Sequence, residues 1–101
     1  MKSEEQKKLE IMQYFEDKIF NPALLFGKQH KNTAIIKGVN LTKMRMSKLS
    51  SKQMIHYFWS AICGTDKSIK FSKLLKDNNI LRFEDIFEDV RVRFNDDYFN
   101  G

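Results

Sequence analysis

The chain is poor in the residues that usually announce a special chemistry. In 101 residues it has one cysteine, one proline, four glycines, one tryptophan and two histidines. A lone Cys63 permits no intramolecular disulfide. It stands in an apolar run before Gly64, where a buried, inert thiol suits a reducing compartment. So few Gly and Pro cannot supply the closely spaced turns of a β-sandwich, which favours helices. His30 and His56 stand in no Cys-x-x-Cys or His-x-x-x-His spacing, so neither a metal nor any other cofactor is expected. The longest uncharged stretch runs only from Gln53 to Thr65, well short of the roughly 20 apolar residues of a membrane span. Met1 to Lys8 is charged and lacks the apolar centre of a signal peptide. A soluble, cytoplasmic protein without a membrane partner is expected. There is no Gly-rich phosphate loop and no Ser/His/Asp or Cys/His grouping, so an enzyme is not expected.

The absence with most consequence is that of acid. From Lys18 to Thr65 there is no Asp or Glu, while Lys18, Lys28, Lys31, Lys37, Lys43, Arg45, Lys48 and Lys52 give a formal charge of +8. The whole chain carries only +5, so the remainder is net acidic. Residues 77–101 hold seven acids against three Arg.

What is present suits one packed core. Apolar residues make up 42% of the chain and nine of its aromatics are Phe, enough for a single domain over 1–101. Periodicity predicts a mainly α bundle of about five helices. Residues 3–20 form the first, with a Ser3–Gln6 capping box, an apolar stripe of Leu9, Met12, Phe15 and Ile19 widened by Ile11 and Phe20, and a Glu4–Lys8 surface pair. Asn21-Pro22 ends this helix and starts a short element, Ala23 to Phe26, which Gly27 stops. Residues 28–40 are the least legible: a polar loop, then a short strand near 33–39 or a buried segment. Asn40 caps the next helix, with Leu41, Met44, Lys48 and Leu49 on one face and Lys43, Arg45 and the Lys48 ammonium pointing outward. Ser50 or Ser51 caps an almost wholly apolar helix through Cys63, placed at the centre of the fold. Lys70 to Asp77 and Arg82 to Asp89 repeat one another twelve residues apart. Each has Phe and an apolar pair at i, i+3 and i+4, so a pair of short antiparallel helices is expected, with Asn78-Asn79 as the turn and an Asp89–Arg93 pair.

The basic stretch points to an anionic partner. Lys and Arg bind phosphate backbones irrespective of base sequence, and that attraction falls with salt. The candidate nucleic-acid-binding residues are Lys28, Lys31, Lys37, Lys43, Arg45, Lys48, Lys52, Lys70 and Lys73; the competing reading is an ordinary solvated surface. Residues 50–63 and 68–79, joined by Gly64 to Lys67, fit a helix-turn-helix-like pair in which Lys67, Lys70, Ser72 and Lys73 face a groove. Tyr57 and Trp59 could stack on bases, but inside so apolar a helix they are expected in the core. Glu84/Glu88 and Asp85/Asp89 could hold an ion or act as acid and base; a solvated face balanced by Arg91 and Arg93 is the expected role.

The expectation is a small non-enzymatic nucleic-acid-binding protein, regulatory or replicative, with DNA preferred over RNA. Heavy use of Asn, Lys, Ile and Phe suits an AT-rich source such as a phage or mobile element. The alternative is a protein-binding module or inhibitor whose polarised charge meets an acidic protein, or pairs with a second copy as a homodimer.

Overall fold

A computed structural model describes residues 2–62 and 70–94, without the side chain of Lys70. Among the described residues 84% are helical and none is in a strand. There are five continuous helical runs: α1 (4–29), α2 (Thr33–Ser47), α3 (51–62), α4 (Lys70–Asp77) and α5 (Phe83–Arg93).

Helix α1 is the spine. At about 1.5 Å per residue it is about 39 Å long, close to the molecule's 43 Å long axis. The Ser3–Gln6 capping box is formed in both directions. Asn21-Pro22 does not break the run as the sequence predicts. Pro22 has no N–H to donate and its ring crowds the carbonyl four residues back. The turn before it widens instead: Glu16–Phe20 is π-helical, and the Asn21 N–H donates to the Glu16 carbonyl. A new α-helical segment, Asn21–Gln29, continues from there with Pro22 in its first turn. Nor does Gly27 stop it. Gly27 is where α2 comes closest: a Cβ there would lie 2.9 Å from Ile36 Cγ1 and 3.3 Å from the Asn32 carbonyl oxygen.

The strand near 33–39 is absent, and Asn40 is not a cap. Asn32 is the N-cap, its side chain accepting from the Ile35 N–H at 3.2 Å. The helix therefore starts eight residues earlier than Leu41, and a different face is buried. Ile35, Val39, Thr42 and Met46 point inward, whereas Leu41 and Met44 are 49% and 51% exposed. Thr42 can be buried because its hydroxyl donates to the Gly38 carbonyl at 2.7 Å.

Helix α3 begins with a Ser50–Gln53 capping box, and the Glu4 carboxylate accepts from both the N–H and the hydroxyl of buried Ser51. That contact replaces the expected Glu4–Lys8 pair; Lys8 Nζ donates to the Ser47 carbonyl at 3.2 Å. α1 and α3 meet through Phe15 and Phe58, both fully buried and stacked at 5.1 Å and 13°. α2 and α4 meet at Gly38, where a Cβ would lie 2.7 Å from Phe71 Cδ1. One buried cluster takes side chains from all five helices. The repeated segments are buried alike: Phe71, Leu74 and Leu75 on α4 and Phe83, Ile86 and Phe87 on α5 all face it. The turn between them holds Asn79 at φ 52°. Leu9, placed by its spacing in the inward stripe of α1, is 68% exposed; Ile11, Tyr14, Phe15, Ile19 and Phe20 are the buried face. No described helix is long and apolar enough to cross a membrane.

Candidate nucleic-acid interface

Helical spacing distributes the cations of α2. With Ile35, Val39, Thr42 and Met46 inward, a 3.6-residue period places Lys37, Leu41, Met44 and Lys48 in a row on the far side, with Arg45 beside them. Lys37, Arg45 and Lys48 are exposed. Lys28 and Lys31 are exposed just before α2, and Lys52 is exposed in the first turn of α3 just after it. Lys31 is held in the turn with φ 52°. None of these six is in an ion pair with a carboxylate among the described residues. Three follow the roughly 22 Å of α2 and three stand at its two ends, a basic ridge by placement along the chain.

Two of the predicted cations do not join it. Lys43 lies toward the buried side, where its Nζ is 3.2 Å from Glu16 Oε1 and 6.0 Å from the centre of the Phe20 ring. The outward projection expected for it is wrong. A carboxylate outside the acid-free stretch reaches it across the α1–α2 contact. Lys73 is exposed but bonded to Asp77 at 2.7 Å, an i,i+4 pair on α4. Ser72, expected to face a nucleic-acid groove beside Lys73, is buried instead. Gly64 to Lys67, Ser68, Cys63 and the side chain of Lys70 lie outside the described residues, as does the acidic tail 95–101.

The acidic pairs of α5 are each engaged with basic groups. Arg91 holds Glu88 at 2.8 Å, Arg82 holds Asp85 at 3.3 Å, and Arg93 holds Asp89 at 3.5 Å. Asp89 also accepts from the Tyr14 hydroxyl at 2.7 Å. That hydrogen bond, together with the Arg93 charge, keeps its carboxyl below the usual range. Burial, then the bond and charge of Asp89, push the Tyr14 phenol far above its usual value, so it stays a donor. Arg93 also lies 5.3 Å over the Tyr14 ring. These groups edge a groove of about 560 Å3 whose walls carry both signs, Glu10 and Asp17 with Lys2, Lys18 and Arg93. Such a wall is not of one sign.

The inward and outward readings of three side chains are reversed. Leu41 and Met44, expected to be buried, interrupt the cationic row with apolar surface. Trp59, expected in the core, is 37% exposed. Its ring stacks on Phe87 at 5.5 Å and 15°, while Phe58 beside it is fully buried. Tyr57 is half-buried against the core, as expected. No protein family, curated protein or solved structure matches this chain.

Proposed function

We propose that this is a small, non-enzymatic nucleic-acid-binding protein whose contact surface is the outer face of α2 and the turns at its two ends. The observation that carries the reading is that Lys28, Lys31, Lys37, Arg45, Lys48 and Lys52, along α2 and at its two ends, are all exposed and without carboxylate partners among the described residues. A solvated surface usually mixes both signs; a face of one sign is suited to displacing the counterions of a polyanion. The reading makes the protein a regulatory or replicative accessory, with DNA its expected target.

Fluorescence anisotropy with labelled single-stranded and duplex oligonucleotides, between about 50 and 200 mM salt, tests it. If all six cations meet phosphates, log K falls against log salt with a slope of about −4 to −5. Absence of binding at micromolar protein in the lowest salt, or a slope near zero, refutes it.

Leu41 and Met44 favour a second reading. Apolar side chains set among cations also suit an acidic protein surface with apolar residues of its own. A stoichiometric protein complex that survives Lys37→Ala, Arg45→Ala and Lys48→Ala but is lost on Leu41→Ser would favour it over the first.

A further inference from the structure

We infer that Trp59, backed by Phe87 and Phe83, is a base-stacking platform, so that the ligand of the basic ridge is a single-stranded nucleic acid; this rests on the ridge being a phosphate track. Three rings form a row from α3 to α5. Trp59 stacks on Phe87 at 5.5 Å and 15°, Phe87 meets Phe83 at 6.4 Å, and Lys76 Nζ lies 5.6 Å from the centre of Phe83. The interior does not need the Trp59 ring, since Phe58, Ala61 and Ile62 already supply the buried face of this turn. The residue is nonetheless 37% exposed, with its ring held parallel to Phe87 at 5.5 Å and at 69° to Phe58 at 4.9 Å. A partly exposed aromatic ring already fixed by its neighbours suits an unpaired base, because stacking there loses little side-chain freedom.

Placement joins this row to the ridge. Lys48 and Lys52 flank the turn between α2 and α3, four residues apart. Lys52 and Trp59 are seven residues apart, about 10 Å along α3, whose last turn, Phe58–Ile62, is π-helical; both are exposed, with exposed His56 between them. A strand whose phosphates follow the ridge to Lys52 brings its next bases alongside Trp59. Beyond the rings α5 carries both signs: Glu84, Asp85 and Glu88 are exposed, the last two paired with Arg82 and Arg91. There the arginines are already paired with carboxylates, so phosphates gain less than along the ridge. The strand is thereby turned with its backbone toward the lysines and its bases toward the rings. A duplex keeps the faces of its bases inside its own stack, so only an unpaired strand can use both features.

Trp59 is the only tryptophan in the chain, so its emission reports on the site directly. The full chain is titrated with a thymidine oligonucleotide of about 12 residues and with a blunt duplex of equal length, reading Trp59 emission together with the anisotropy of the labelled nucleic acid. The single strand should quench Trp59 and bind more tightly than the duplex. Trp59→Ala should cost about 5- to 150-fold in single-strand affinity, the worth of one stacked base. It should leave duplex affinity and the salt slope unchanged. Trp59→Phe keeps a stacking face and should restore part of the loss, which a variant that merely unfolds would not. Equal binding of strand and duplex with unchanged Trp59 emission overturns the platform while leaving the ridge standing. Failure to bind either nucleic acid at low salt overturns the ridge, and the platform with it.

Discussion

Lys43 and Arg45 are two residues apart, and composition treats them as equals; the fold assigns them different work. Lys43 Nζ is 3.2 Å from Glu16, with the two side chains 33% and 39% exposed, so its charge is already answered. Arg45 is exposed and has no carboxylate partner among the described residues. Each phosphate contact contributes about 0.7 to 0.9 to the slope of log K against log salt. At about 0.1 M salt, losing one contact is therefore worth about fivefold in affinity. Arg45→Ala and Lys48→Ala should each cost that much and each flatten the slope by about 0.7 to 0.9. Lys43→Ala should leave the slope unchanged. Its cost should appear in unfolding instead, as a loss of about 0.2–1 kcal/mol, the range of a partly exposed pair. Glu16→Gln releases Lys43 and should steepen the slope by up to the value of one contact. The assay is anisotropy over a salt series, with urea unfolding of the same variants. If Lys43→Ala flattens the slope as much as Arg45→Ala, the ion pair does not withhold that cation in solution and the partition between the two residues is wrong.

Other consequences concern the frame that holds the ridge. Phe58→Ala removes a fully buried ring stacked on Phe15 and should cost about 3–5 kcal/mol in urea unfolding; a loss under about 1 kcal/mol would mean that the α1–α3 contact is not central to the core. Gly38→Ala gains about 1 kcal/mol of helix propensity but sets a methyl 2.7 Å from buried Phe71, an overpacking cost of about 1–3 kcal/mol. The net result should be a destabilisation of about 1 kcal/mol, and a more stable variant would place the α2–α4 crossing elsewhere. The hydrogen bonds from Ser51 hold the Glu4 carboxyl below its ordinary value of 4.5. Its contribution to stability is full above that value and is lost as pH falls through the lower folded value. Glu4→Gln should therefore be less stable at neutral pH and lose less on acidification than the wild type, as read by thermal unfolding at pH 7 and pH 3.

Much of the frame was legible because the local signals agreed. Ser3 with Gln6 and Ser50 with Gln53 fix two helix starts, and the matched Phe and Leu/Ile spacings of 70–77 and 82–89 locate two more helices. The misreadings have physical causes. Pro22 reads as an end because a proline in mid-helix usually breaks it, and no sequence pattern announces that a π-helical turn will absorb the mismatch. The stripe of Ile35, Val39, Thr42 and Met46 was hidden by Thr42, whose polarity is cancelled by a bond to a carbonyl of its own helix. Placing the cap at Asn40 instead of Asn32 then turned Leu41 and Met44 inward. Had Asn32 been chosen, the same period would have put both outside. For the interface, the sequence supplied the inventory of cations but not their sorting. Lys43 meets Glu16 only because α1 and α2 fold together, a contact between residues far apart along the chain. Trp59 meets Phe87 in the same way, by a stacking contact between α3 and α5.

The central claim is one of location: an anion settles on the outer face of α2 rather than elsewhere on the protein. Amide chemical-shift mapping of the isotope-labelled chain during titration with the thymidine oligonucleotide tests it most directly. The largest shifts should run through residues 37–48, extend to Lys28, Lys31 and Lys52, and include the Trp59 indole. Shifts concentrated on α5 or around Tyr14 and Arg93, with α2 unmoved, would contradict it.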